Sequence, residues 1–304
     1  MAILNIPTYD DFYTSGKELL DFSWDVIASL LTNMDEAEYY GVDPIEISDK
    51  YWSAAKRRLT TALSISQQGV EFILKGQIVA ISPFLLISES PSKWPSPYDG
   101  NQINFSEFRT INAQDLIRVI DTFSPIPMSK DFVDQFHQLR EKRNRIMHSV
   151  DKQLTVDVAE AVDSILFMHK ALFPEETWAS IRLRFLDEAP DSELGGNEFS
   201  RNRVCWEIKL AINLLKPSKV KKYFGIDKKQ RRYVCPTCLL EANTDAGFDH
   251  KLAVLKPTGP KSTILYCPVC DATYNVTRGK CHKVECPGNV LDDKGMCLTC
   301  CGWV

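Results

Sequence analysis

The residues best suited to chemistry lie in one short run near the middle of the chain, where Arg143, Asn144 and His148 are set within six positions. A neutral His takes up or releases a proton near pH 7, so it can act as a general acid or base. An Arg keeps its charge and holds a phosphate with two donors, while an Asn can orient either group. Together these three side chains suffice to cleave RNA without a metal ion.

The segment 130–150 that carries this run is predicted to be a helix with one apolar stripe. That stripe consists of Phe132, Phe136, Leu139, Ile146 and Val150 at helical spacing. Arg143 falls inside the stripe, where an unpaired charge is costly, so it needs a carboxylate, a phosphate or a subunit interface beside it. On an ideal helix Arg143 and His148 point about 140° apart. They therefore converge only if the helix ends near His148 or if a second copy of the chain supplies the missing group.

The run Leu139–His148 resembles the Arg-(polar)-x-x-x-His signature of the HEPN superfamily of helical ribonucleases. The segments Gln67–Gly76 and Phe108–Ile117 resemble the long second helix and the entry to the next helix of some members. The resemblance implies an endoribonuclease in which the ribose 2′-OH attacks the adjacent phosphorus and leaves a 2′,3′-cyclic phosphate and a 5′-OH. It implies that His148 is the general acid or base, that Arg143 holds the phosphate, and that Asn144 orients one of them.

The same resemblance implies a homodimer, because the family generally places two motifs face to face and this chain carries one. RNA is the expected partner, with room for a protein regulator or inhibitor, and the family is often found in toxin and phage-defence systems. Two alternatives stay open at this point. One is a non-catalytic RNA- or DNA-binding protein with zinc ribbons and a helical dimerisation domain, and the other is a protein-interaction adaptor with an inactive motif.

Nine of the ten cysteines lie after residue 234, and two Cys-Pro-x-Cys knuckles stand about thirty residues apart. This spacing lets one turn present two thiolates to a tetrahedral ion, so we expect two structural zinc ions per chain. The expected ligands are Cys235, Cys238, Cys267, Cys270, Cys281, Cys286, Cys297 and Cys300. The sequence leaves open whether the ligands are used in sequential fours or in a cross-braced order, and whether Cys301 or His282 replaces one of them.

The C-terminal part of the chain is basic although the whole carries a formal charge of −4. The surplus is concentrated in residues 216–232, where Tyr223 and Phe224 lie among the basic residues. Basic side chains track phosphates and aromatic rings stack on bases, which favours single-stranded nucleic acid as the partner of this segment. The expected nucleic-acid-binding residues are Lys219, Lys221, Lys222, Lys228, Lys229, Arg231 and Arg232. A solvated linker is the simpler interpretation of the same pattern.

These patterns predict a mainly α protein: a HEPN-like helical bundle over residues 1–215, a basic hinge over 216–232 and a small zinc-binding β-rich domain over 233–304. Periodicity predicts helices over 15–40, 48–81, 112–123, 130–150, 155–173, 175–188 and 199–215, and strands over 264–266 and 273–276. No apolar stretch is long enough to span a bilayer, and the N-terminus lacks a signal-peptide core. We therefore expect a cytoplasmic protein with no membrane partner.

Overall fold

A computed structural model describes residues 3–94, 102–148 and 156–302; the side chains of His148, Asn197, Glu198 and Ala246 also lie outside the described part. Over these residues the chain is mainly helical with a β-rich C-terminal segment, which confirms the predicted fold class. The helices are α1 (Tyr9–Asp35), α2 (Pro44–Ile81), α3 (Ala113–Phe123), α4 (Lys130–His148), α5 (Val158–Leu172), α6 (Trp178–Asp187), α7 (Ser200–Leu214), α8 (Pro217–Phe224) and α9 (Pro236–Glu241). The strands are β1 (Ile3–Leu4), β2 (Ile103–Asn104), β3 (Arg232–Val234), β4 (Lys251–Leu255), β5 (Ile264–Cys267), β6 (Ala272–Asn275), β7 (Thr277–Arg278) and β8 (Val290–Leu291).

The contacts divide the chain into two compact units, which are described separately. The first unit combines residues 1–27 with 49–168, and the second combines 28–48 with 169–304. The boundaries predicted at residues 215 and 232 are not where these units divide, because α6 and α7 group with the β-rich segment. For example, Asn202 on α7 donates hydrogen bonds from Nδ2 to the carbonyl oxygens of Asn243 and Gly247, at 3.1 Å each.

The first unit is a set of helices whose apolar stripes face one core, with β1 and β2 paired in parallel beside them. Representative buried side chains from α1 to α5 are Leu20, Leu63, Ile73, Leu116, Phe136 and Val162. Helices α1 and α2 approach each other most closely at Gly16 and Gly69. A Cβ atom added at Gly69 would lie 2.8 Å from the carbonyl oxygen of Gly16, so neither position has room for a side chain.

The second unit pairs helices α6 and α7 through a buried ion pair. Arg182 donates from Nε to Glu207 Oε2 at 2.9 Å and from its terminal nitrogen to Oε1 at 3.0 Å, and both side chains are almost completely buried. Arg203 donates from Nε to the same carboxylate at 3.0 Å. Arg182 binds the Glu207 carboxylate with two hydrogen bonds and Arg203 adds a third, so both carboxylate oxygens have hydrogen-bond partners. A buried ion pair is tolerated under this condition.

The β-rich segment of the second unit contains an antiparallel sheet in the order β3-β4-β5-β6. A separate antiparallel pair joins β7 to β8. The predicted strands at 264–266 and 273–276 are confirmed as β5 and β6, although Val276 lies just beyond β6. Strands β3 and β4 were not predicted, because both are short and neither shows a clear alternation of apolar and polar residues.

Residues 216–232, predicted as a hinge, contain regular structure. Pro217 occupies the first turn of α8, and Gly225 ends that helix in the left-handed conformation with φ of 64°. Lys228 then donates from Nζ to the carbonyl oxygens of Asn213 and Leu215, at 2.6 and 2.7 Å, and so caps the end of α7. The segment is thus tied to its neighbours by a helix and by hydrogen bonds.

Within the described ranges, no helix combines the length and the apolar character that a membrane crossing requires.

The close helix crossing predicts that Gly69→Ala destabilises the protein. Alanine favours a helix over glycine by up to about 1 kcal/mol, yet here the new methyl group must push α1 away, which costs about 1–3 kcal/mol. We expect a lower midpoint of thermal unfolding for Gly69→Ala, measured by circular dichroism. Gly259→Ala is the matched control, because nothing lies within 4 Å of its added Cβ. An unchanged midpoint for Gly69→Ala would show that α1 and α2 can accommodate the added methyl group at their crossing.

Candidate functional site

Helix α4 presents the predicted catalytic run, and its orientation is set by buried aromatic residues. Phe132, Phe136 and Leu139 are buried on its inner face. The hydroxyl of Ser129 accepts a hydrogen bond from the backbone N–H of Phe132 at 3.3 Å, which stabilises the start of the helix. The described helix ends at His148, so the motif occupies its last turn and a half. The side chain of His148 lies outside the described part, whereas the side chains of Arg143 and Asn144 are described.

Arg143 and Asn144 line one small pocket in the first unit. The pocket has a volume of about 170 Å³ and is lined by Gln67, Glu71, Asn112, Ala113, Gln114, Arg140, Arg143 and Asn144. A terminal nitrogen of Arg143 donates to Asn144 Oδ1 at 3.2 Å, so the two predicted residues touch each other. Glu71 is the carboxylate among the residues that line this pocket.

Arg140 adds a second guanidinium to this pocket and was not among the predicted site residues. Its Nε atom is buried and has no hydrogen-bond partner among the described residues. The signal was present in the sequence, since Arg140 lies four residues before Asn144 on the same helix face. A buried donor without an acceptor is costly, so a ligand oxygen at this atom would be stabilised.

The remaining walls adjust the charge of the pocket. Glu71 is held by Lys75, whose Nζ lies 3.1 Å from Oε1, and by Gln67, whose Nε2 donates to Oε2 at 3.5 Å. Helix α3 begins at the pocket, and no hydrogen bond from the Asn112 side chain caps its first turn. The free N–H groups of that turn contribute a partial positive charge. Two guanidinium groups and a helix N-terminus therefore outweigh one paired carboxylate.

Lys142 fixes the last turns of α4 against α5 through an ion pair with Glu160. Burial lowers the pKa of Lys142, and the charge of Arg145 lowers it further. The lysine faces away from the small pocket and is used within the fold.

The predicted nucleic-acid-binding residues fall into two groups. Lys221, Lys222, Lys229 and Arg231 are exposed, and Lys219 is half-exposed. The ammonium groups of Lys219 and Lys222 lie 6.0 and 5.9 Å from the ring centre of Tyr223, so charge and an aromatic face occur together.

The other two basic residues of this set serve the fold. Lys228 caps α7, as described above, and Arg232 donates to the carbonyl oxygen of Lys228 at 3.3 Å. Burial lowers the pKa of Arg232. Arg231 is engaged as well, because a terminal nitrogen donates to the carbonyl oxygen of Pro287 at 3.1 Å. The exposed or half-exposed lysines of the set are Lys219, Lys221, Lys222 and Lys229.

Eight of the C-terminal cysteines form two compact clusters in the second unit. One contains Cys235, Cys238, Cys267 and Cys270, the other Cys281, Cys286, Cys297 and Cys300, and within each the sulfur atoms lie within 4.8 Å of one another. Each cluster can hold a metal ion, and the cysteines are grouped in sequential fours and not in a cross-braced order. Neither cluster includes His282 or Cys301.

The sulfur separations exclude disulfides. Cys235 and Cys270 are 3.5 Å apart and Cys238 and Cys267 are 3.8 Å apart, compared with about 2.05 Å in a disulfide. The corresponding pairs in the second cluster, Cys281 with Cys300 and Cys286 with Cys297, are separated by 3.7 and 3.9 Å. Hydrogen bonds from the neighbouring thiols of Cys235, Cys238 and Cys267 lower the pKa of Cys270, which favours the thiolate that a metal ion binds.

The second cluster is closed around Gly288. The backbone N–H of Gly288 donates to Cys286 Sγ at 3.3 Å, and a Cβ atom added at Gly288 would lie 2.3 Å from Cys297 Sγ. Only glycine fits there, because its backbone lies against two of the ligand sulfurs.

Comparison with protein-family models, with curated proteins and with solved structures finds no match for this chain. The HEPN resemblance therefore stays a prediction from the motif residues, and the function has to be argued from the pocket on α4 and the two cysteine clusters.

Proposed function

We propose that this protein is a metal-independent endoribonuclease whose active centre is built on helix α4. The observation that carries the proposal is the convergence of Arg140 and Arg143 with the N-terminus of α3 in one small pocket. Paired guanidinium groups and free backbone N–H groups are the donors that bind a phosphate in proteins. The buried Nε of Arg140 would gain the acceptor that it lacks among the described residues.

In the proposed reaction the ribose 2′-oxygen attacks the adjacent phosphorus as the bond from phosphorus to the 5′-oxygen breaks. A general base removes the proton from the 2′-OH, and a general acid gives a proton to the leaving 5′-oxygen. His148 takes one of these roles, and Arg143 stabilises the charge that develops on the phosphate oxygens. Asn144 orients Arg143 through the contact at 3.2 Å.

We propose a homodimer as the active form, in which two copies of α4 bring two His148 side chains to one cleft. One imidazole would then accept the proton and the other donate it, which balances the reaction without a metal ion. By the family resemblance, such an enzyme would act as a toxin or phage-defence effector. The alternative is a nucleic-acid-binding protein without catalysis, which the exposed Lys221, Lys222 and Lys229 favour, with Lys222 close to the ring of Tyr223.

We propose zinc as the metal of both cysteine clusters. A tetrahedral zinc ion with sulfur ligands at about 2.3 Å places those sulfurs about 3.8 Å apart. The four sulfur pairs quoted above, between 3.5 and 3.9 Å, fit that geometry. Four thiolates leave no open position, so the role of each ion is structural.

The first prediction of this proposal concerns cleavage. Purified protein should cut single-stranded RNA in the presence of EDTA, under conditions in which elemental analysis shows that its bound metal is retained. His148→Ala and Arg143→Ala should each lower the rate by on the order of 10²-fold, the scale expected for loss of a general acid or base or of a phosphate clamp. End mapping should show 2′,3′-cyclic phosphate and 5′-OH termini.

The control is Arg145→Ala, which removes an exposed charge from the same helix turn and should leave the rate near that of the wild type. Mixing Arg143→Ala chains with His148→Ala chains should restore part of the activity if each centre draws on both subunits. Equal cleavage by the wild type and by His148→Ala, or no cleavage of any RNA, would contradict the endoribonuclease proposal. The non-catalytic nucleic-acid-binding protein would then be the remaining candidate.

The second prediction concerns binding by the basic segment. Replacing Lys221, Lys222 and Lys229 together by Ala should weaken RNA binding and reduce the slope of log affinity against log salt by about 2, since each phosphate contact in a single strand contributes about 0.7. Lys228→Ala is the matched comparison, and it should instead lower the thermal midpoint because it uncaps α7. An unchanged salt slope in the triple variant would mean that this surface does not meet RNA.

The third prediction concerns the metal. The wild-type protein should carry close to two zinc ions per chain, one for each cluster. Gly288→Ala should release one of them, because its methyl group would overlap Cys297 Sγ, whereas Cys301→Ser should retain both. Elemental analysis of the three proteins measures this directly, and fewer than two zinc ions in the wild-type protein, or loss of zinc from Cys301→Ser, would contradict the assignment.

A further inference from the structure

A large cavity in the second unit belongs neither to the pocket on α4 nor to the cysteine clusters. Its volume is about 750 Å³, within the range of small-molecule sites. The walls come from the C-terminal part of α1, from α7, and from the loop before β4, and all of these residues belong to the second unit. The residues that matter here are Asp35, Asn202, Trp206, Phe248 and His250.

Aromatic side chains give the cavity flat apolar faces. Phe199, Trp206 and Phe248 line it, and Phe199 is 45% exposed. The indole of Trp206 is fixed in place because its Nε1–H donates to Asp35 Oδ2 at 2.9 Å. Flat, fixed aromatic faces favour a planar ring as the ligand.

Polar atoms that lack partners lie at the same cavity. Asn202 Oδ1 is buried and has no hydrogen-bond partner among the described residues, although the Nδ2 group of the same side chain makes two bonds to backbone carbonyls. The amide is therefore fixed with its acceptor unused. A buried acceptor without a donor is costly, and a ligand N–H group would remove that cost.

His250 provides a second unused atom. Its side chain is 12% exposed, and Nδ1 is buried without a hydrogen-bond partner in the described part of the chain. Asp249 Oδ1 lies 3.6 Å from Nδ1, too far for a hydrogen bond, and the ring of Phe248 packs edge-on at 5.2 Å. Burial and the nearby charge of Lys209 lower the pKa of His250, which favours the neutral imidazole, a ring that carries one donor and one acceptor.

We propose that this cavity is a binding site for a nucleobase, presented either by a free nucleotide or by an unpaired residue of RNA. A nucleobase is planar, stacks on aromatic side chains, and carries N–H donors beside ring acceptors at its edge. These features match the aromatic walls, the acceptor of Asn202 and the nitrogen of His250. The site stands independently of catalysis at Arg143 and His148, because none of its residues lies on α4.

The test is calorimetric titration of the full-length protein with AMP, GMP, ribose 5-phosphate and a short single-stranded oligoribonucleotide. At least one nucleotide or the oligonucleotide should bind, and ribose 5-phosphate should not, because it lacks the base. His250→Phe keeps the ring and removes the nitrogen, so it should weaken that binding about three- to tenfold, the effect of one lost hydrogen bond. His137→Phe is the matched control, since it lies on α4, and it should leave the affinity unchanged.

The titrations with mononucleotides and with the oligoribonucleotide distinguish the two sources of the base. Binding of a mononucleotide that His250→Phe weakens identifies a free nucleotide as ligand, and binding of the oligonucleotide alone with the same sensitivity identifies RNA. If His250→Phe fails to fold, photolabelling of the wild type with 8-azidoadenosine monophosphate should mark peptides within residues 29–35, 199–215 or 243–250. Equal binding of ribose 5-phosphate and nucleotides, or labelling elsewhere, would overturn the proposal, whatever the outcome of the cleavage assay.

Discussion

Eight sulfur atoms gathered into two groups impose the strongest constraint on the second unit. Within each group the sulfurs lie within 4.8 Å of one another, so as thiolates they repel unless a cation lies between them. The ligands of the first group follow β3, begin α9, end β5 and precede β6, and a bound ion would therefore tie the whole sheet together. Strands of three to five residues bury little apolar surface by themselves, and binding free energy then becomes folding free energy.

A different constraint governs the first unit. Gly16 and Gly69 let α1 and α2 pack backbone against backbone, and Gln67 and Glu71 lie on either side of that contact. The same crossing thus positions the carboxylate and the amide that line the pocket of α4. Arg143, which falls in an otherwise apolar stripe, thus opens onto a pocket with polar walls. Packing far from the chemistry therefore decides the shape and charge of the proposed phosphate site.

The two units carry different kinds of site. The pocket of α4 is small and dominated by guanidinium groups, which suits a phosphate. The cavity of the second unit is larger, and aromatic, uncharged polar and charged side chains all line it, with Asn202 and His250 offering the atoms that suit a base. Division of backbone and base recognition between sites is the usual arrangement in proteins that act on nucleic acids. The proposals thus describe one chain whose first unit does chemistry and whose second unit recognises a base.

The sequence by itself determined the helices and the cysteines that cluster, because both depend on short-range spacing. The helices predicted over 48–81 and 112–123 are found at Pro44–Ile81 and Ala113–Phe123, since apolar residues at a period of 3.6 mark a buried face wherever it packs. Six of the eight cysteines were likewise evident from C-x-x-C spacing, and Cys281 and Cys286 from C-x4-C spacing. Tertiary structure alone decided the sequential order of the ligands, the grouping of α6 and α7 with the β-rich segment, and the use of Lys228 and Arg232 within the fold. It also brought Gln67, Glu71 and Arg140 to Arg143, and Asp35 to Trp206, because contacts between residues distant in the chain leave no periodic trace in the sequence.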